Sequence, residues 1–166
     1  MPLNPELSKF IGQPYTKHSP QLGVESDAGD CRFWVRRFYK IRLGIDLLVG
    51  MWSEETWEDE TLLFNNVALT GPFAEADIFM FRPNHGSQLD PRQLHLAYFT
   101  GETDSDGQPL LLHASQYDQQ VAVWSLPDFF SGDRYGKLER VKRLKPGFWE
   151  PLVKPLITCT ADRQIK

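Results

Sequence analysis

Apolar positions recur at helical spacing over residues 31–43. Cys31, Trp34, Val35, Phe38 and Ile41 share one face, and Arg32, Arg36, Arg37 and Lys40 fall mostly elsewhere. The pattern predicts the main helix. Asp30 is placed to cap its first turn and Gly44 to end it at C′. Upstream, residues 4–11 read as a short helix stopped by Gly12, Pro14-Tyr15 starts an extended piece, and residues 16–30 read as loop. Residues 45–51 are apolar enough for a short buried strand or turn. From Ala76 the pattern changes to strands. An apolar run at 77–81 is ended by Arg82-Pro83-Asn84. Runs at 95–100 and 109–115 flank a turn rich in Gly and Asp, which predicts a hairpin with a long connection. A further strand is expected at 121–126, irregular chain at 127–136, and an edge strand at 137–144 with basic residues facing out. There is no internal repeat. The class predicted is α+β, a helix bearing Cys31 packed on an antiparallel sheet of about five strands.

The tail changes the domain picture. Pro146, Pro151 and Pro155 alternate with Phe148, Trp149, Leu152, Leu156 and Ile157, too apolar a set for a free linker. The expected organisation is one domain over 1–145 and a tail over 146–166 that packs on the domain or on a partner.

Composition narrows the classes. With 166 residues, 41% hydrophobic and 13% aromatic, the chain has ample material for a core. A net charge of −4 gives no reason to expect nucleic acid. Residues 53–61 carry five acidic side chains, Glu54, Glu55, Glu58, Asp59 and Glu60, and are expected as a solvated loop. The two cysteines, Cys31 and Cys159, make neither a disulfide framework nor a C-x-x-C metal site, so no metal and no cofactor is expected. Residues 1–10 lack the basic and apolar regions of a secretory signal, and no stretch approaches the roughly 18 apolar residues of a membrane span. Synthesis in the cytoplasm follows as the expectation.

Candidate chemistry centres on Cys31. A thiol at a helix N-terminus meets exposed N–H groups and the positive end of the dipole, and both favour thiolate. The plainer alternative is a small buried apolar residue. His95 and His113 lie on the two arms of the predicted hairpin. A pairing that sets them directly opposite each other puts both rings on one face, and a slip of two residues keeps that face. A cysteine peptidase needs a thiol, an adjacent base, a polar group that orients the base, and donors for the oxyanion. Cys31, His95 and His113 fill the first three places, and the Cys31 N–H at the helix start is a natural donor. His18 and His85 read as surface residues in loops.

Five short motifs in one order resemble those of the NlpC-type cell-wall peptidases, a papain-like cysteine peptidase family. Ile11-Gly12-Gln13-Pro14-Tyr15 resembles the family's Gly-x-Pro-Tyr, and Asp30-Cys31 its Asp-Cys-Ser-Gly. Residues 76–81 resemble its Gly-Asp-Leu strand, His95-Leu96-Ala97-Tyr98-Phe99 its His-Val-Gly-Ile-Tyr, and Leu112-His113-Ala114 its Ile-His-Ala. The segment Arg42-Leu43-Gly44-Ile45-Asp46-Leu47 looks most like the branch found with tailed-phage tail tips. The resemblance implies a papain-like fold and hydrolysis of peptidoglycan stem peptides at the amide between γ-D-glutamate and a diamino acid. It makes Cys31 the nucleophile, His95 the base and His113 the orienting residue, with Tyr15, Asp30 and Arg32 on the substrate side. It also implies a phage-tail setting with other tail proteins as partners. Arg32-Phe33 stands where the family has Ser-Gly. Arg32 is then placed to pair with a substrate carboxylate, and Phe33 is expected to crowd the approach to the thiol. The alternative implied is a structural or binding piece of a tail tip with little or no activity.

Overall fold

The computed structural model describes residues 3–17, 28–47, 63–84 and 93–146. His18, His85, Cys159, the acidic segment and the tail beyond residue 146 lie outside the described residues, so the expectations placed on them find no counterpart here.

The main helix, α2, spans Cys31–Leu43. Asp30 caps it, with Oδ1 accepting from the Phe33 N–H at 3.0 Å. Gly44 ends it at φ 69°, a left-handed conformation that glycine adopts without a Cβ penalty. The N-terminal helix, α1, is only Pro5–Ser8, shorter than the pattern implied. Six strands follow: β1 Phe64–Val67, β2 Ile78–Pro83, β3 His95–Thr103, β4 Pro109–Ser115, β5 Gln120–Ser125 and β6 Tyr135–Leu144. They form one antiparallel sheet in the order β1-β6-β2-β3-β4-β5. The class is α+β as expected, with six strands among the described residues where about five were expected.

Two strand expectations are corrected. β6 is not an edge: it lies between β1 and β2. Its charges are placed rather than solvated. Arg143 forms a two-pronged pair with buried Asp77 at 2.8 Å, Arg82 meets Glu139 at 2.5 Å, and Lys142 is buried. In the hairpin, Tyr98 faces Leu112 and Phe99 faces Leu111, two residues away from the register that sets His95 against His113. Because side chains alternate faces, this slip leaves both histidines on one face.

Alternation also divides the core. Leu96 and Tyr98 of β3 join Ile78, Met80, Leu112 and Ala114 against Trp34, Val35, Phe38 and Tyr39 of α2. Ala97 and Phe99 face the other way, with Phe79, Phe81, Leu111 and Trp124, and are covered by a 3-10 segment at Leu126–Asp133 through Leu126 and Phe129. Burying each such large apolar side chain is worth roughly 1.5–3 kcal/mol, so the sheet is held from both sides.

Polar anchors fix α2 along its length. Arg42 pairs with buried Glu75 at 2.7 Å, and the Tyr39 hydroxyl donates to the Ala76 carbonyl. At the other end the Trp34 indole N–H donates to the Pro14 carbonyl at 3.3 Å. The segment around Pro14 is tied to β5 in turn, by Gly12 N–H to Val121 O at 2.9 Å and Val121 N–H to Gln13 O at 2.7 Å. Among the described residues no helix is long and apolar enough to cross a membrane.

Candidate active site

In an antiparallel sheet the end of one strand lies beside the start of the next. β2 ends at Pro83, β3 begins at His95, β4 ends at Ser115 and β6 begins at Tyr135, so these four positions share one end of the sheet. The N-terminus of α2 reaches the same end. A cavity of about 520 Å³ opens there, lined by Tyr15, Asp30, Cys31, Arg32, His95 and Tyr135 among others. A second cavity of about 510 Å³ adjoins it, sharing Tyr15, Lys17 and Gln116 and adding Thr16, Tyr117 and Gln119.

His95 and His113 meet directly, His95 Nε2 lying 2.8 Å from His113 Nδ1. This leaves His95 Nδ1 as the ring nitrogen available to a thiol. The order of protons follows. For His95 Nδ1 to accept a proton, its Nε2 must already carry one and donate it to His113 Nδ1, so the His113 proton sits on Nε2. His113 Nε2 is buried without a hydrogen-bond partner among the described residues, and the ring packs edge-on against Trp124 at 4.4 Å and beside Phe129 at 4.7 Å. An N–H among aromatic faces is compensated only weakly.

Cys31 keeps partial exposure, and the backbone N–H groups of Arg32 and Leu96 bond its sulfur. Leu96 is the residue after His95, so the thiol lies beside the start of β3. The helix-terminus expectation of a ready thiolate is corrected here. Loss of hydration, then the Asp30 carboxylate, push the thiol up to about 11, and the Arg32 guanidinium and the two amides only moderate that rise. Burial, then Arg32, bring His95 down to about 3, and burial with His95 and Arg134 holds His113 well below its usual range. The thiol and both imidazoles are therefore neutral near pH 7.

The other expected residues are placed as follows. Tyr15 is held beside the helix start by its pairing with Gly29 and by its N–H to Gln119 O at 3.1 Å. Its pKa is raised by burial and then by the Cys31 charge, and both side chains line the same cavity. Asp30 and Arg32 line the cavity. Phe33 does not crowd the thiol: it is absent from the cavity wall, its ring lies against Gly29, and the Arg37 guanidinium sits 5.8 Å from its centroid. A Cβ on Gly29 would come within 2.1 Å of that ring, so this position requires glycine.

Tyr135 is the residue the sequence pattern missed. It opens β6 at the rim of an apparently irregular stretch and stacks on His95 at 4.8 Å. Nothing in the sequence around it marks a site. Only the gathering of strand ends reveals it. Among the described residues no cluster of His, Cys, Asp and Glu is arranged to hold a metal ion.

No protein-family model and no curated protein matches the chain. Solved structures do. NlpC2 from Trichomonas vaginalis superposes with a TM-score of 0.52 at 15% identity, over 84% of this chain and 44% of that one. The chain thus spans less than half the length of that protein. The NlpC/p60 domain of the peptidoglycan hydrolase SagA gives a TM-score of 0.47 at 23% identity, over 80% of this chain and 93% of that one. An N-acetylmuramoyl-L-alanine amidase from Bacteroides uniformis ATCC 8492 gives 0.48 at 14% identity, over 84% and 97%. The fold is that of NlpC2.

Proposed function

We propose that this chain is a cysteine peptidase acting on peptidoglycan stem peptides, with Cys31 as nucleophile, His95 as base and His113 as the group that orients His95. The observation that carries this reading is that Cys31 and His95 line one cavity while His113 holds the far nitrogen of His95 at 2.8 Å. Because thiol and imidazole rest neutral, attack and proton transfer go together. The sulfur bonds to the scissile carbonyl carbon as its proton passes to His95 Nδ1, and the carbonyl electron pair moves to oxygen. The intermediate collapses as His95 returns that proton to the leaving amine. Water then hydrolyses the thioester with His95 again as base. The N–H of Cys31 belongs to a helix start, where amides lack intrahelical partners, and serves the oxyanion.

The substrate class follows from the walls together with the motif resemblance. Lys17 and Arg32 place cationic groups at the cavity, suited to the free carboxylates of a stem peptide. The bond assigned is the amide between γ-D-glutamate and the diamino acid, and the setting is a phage tail tip, where the protein meets other tail proteins. Both finer assignments rest on the motifs. The structural alternative drew on the apolar tail and the acidic segment, which lie outside the described residues; the Phe33 ring packs against Gly29 and is not part of the cavity wall. The test is incubation with a mixture of defined muropeptides, with products identified by mass. The expected result is new fragments ending at γ-D-glutamate. A folded protein that leaves every muropeptide intact removes the enzyme reading.

A further inference from the structure

Tyr135 is 4% exposed, lines the cavity that holds Cys31 and His95, and has a buried hydroxyl with no hydrogen-bond partner among the described residues. Its ring is fixed by stacking on His95 at 4.8 Å and 24°, and by Phe129 and Tyr117 at 5.7 and 5.8 Å. Tyr15, Cys31 and Tyr135 all line this one cavity. A buried hydroxyl with no partner is unfavourable, and a phenylalanine would fill the same aromatic niche without that cost. The aromatic packing therefore explains the ring and leaves the oxygen unexplained.

We propose that the Tyr135 hydroxyl donates a hydrogen bond to the carbonyl oxygen of the acyl group that Cys31 attacks, and so forms part of the oxyanion-binding set. This rests on the assignment of Cys31 as nucleophile. No proton is transferred by Tyr135: as the sulfur–carbon bond forms, the carbonyl pair moves onto oxygen, and the phenol O–H shortens its bond to that oxygen. Burial first, and the neighbouring Cys31 charge next, raise the phenol pKa far above neutrality, so it stays a donor throughout the working pH range.

Two electrophiles separate the roles. A small peptide aldehyde such as acetyl-glycinal adds the thiol across its carbonyl and leaves a hemithioacetal oxygen where the oxyanion would be. Iodoacetamide alkylates the same thiol with loss of iodide and creates no such oxygen. Tyr135→Phe is expected to weaken aldehyde binding by roughly 10²-fold, with the alkylation rate of Cys31 unchanged and the melting temperature unchanged or higher. Equal aldehyde affinity in wild type and Tyr135→Phe overturns the proposal. A parallel fall in aldehyde affinity and alkylation rate also overturns it, since Tyr135 would then act on the thiol through His95. A wild-type protein that forms no hemithioacetal at Cys31 overturns the nucleophile assignment itself, and this proposal with it.

Discussion

Two buried imidazoles share one hydrogen bond at the candidate site. His95 and His113 have pKa values depressed below the free value of 6.5, chiefly by burial. The unfolded chain therefore binds protons that the folded chain refuses. Their contribution to stability is fully present above about pH 6.5 and is lost as pH falls toward the folded values, near 3 for His95. His113→Gln removes one of the two groups and keeps a polar partner for His95. Urea unfolding at several pH values between 7 and 4 should show the variant gaining on the wild type as pH falls, by up to ~1.4 kcal/mol per pH unit. Parallel curves would mean that His113 carries a proton in the fold. At this scale the sequence offered Cys31, His95 and His113 as candidates and was poor about their state. Helix-terminus position argued for a thiolate at Cys31. Loss of hydration in the cavity and the charge of Asp30 outweigh it, and neither is visible in a one-dimensional pattern.

The bounds of helix α2 were legible because its apolar spacing, its Asp30 cap and its Gly44 stop agree, although Ile41, expected on the apolar face, is exposed and Tyr39 is buried. The sheet was less so. β1 is a four-residue strand with two asparagines and offers no strand signal. β6 suggested an edge because of its basic residues, yet Arg143 is matched inside the fold by Asp77 and Lys142 is buried. The hairpin register slipped by two because continuous apolar runs such as 96–99 look alike from either register. The Arg143–Asp77 pair joins β6 to the turn before β2 and so helps hold the strand that carries Tyr135. Arg143→Leu leaves a fully buried carboxylate unpaired and should cost ~3–5 kcal/mol. Asp77→Asn added to that variant should recover part of the loss, as no charge is then left buried. Chemical denaturation checks both, and a single variant within 1 kcal/mol of wild type would show that the pair is not what fixes β6.

For the whole molecule, the candidate site lies at one end of the sheet. Helix start, two strand starts and two strand ends converge at one cavity, and the segment 12–16 is stitched across β5 so that Tyr15 joins them. The apolar periodicities dictate helix and sheet but not this convergence, which is why Tyr135 stayed hidden while Cys31, His95 and His113 did not. The convergence also explains why the fold tolerates Arg32-Phe33 after the cysteine. Helical geometry turns Phe33 toward Gly29 and leaves Arg32 at the cavity. The most direct test uses a single defined peptide, L-alanyl-γ-D-glutamyl-diamino acid, offered to wild type and to Cys31→Ala, with release of the diamino acid amine followed over time. Release by the wild type and none by a folded Cys31→Ala is the predicted result; equal release by both, or none by either, would contradict the assignment of this cavity as a cysteine peptidase site.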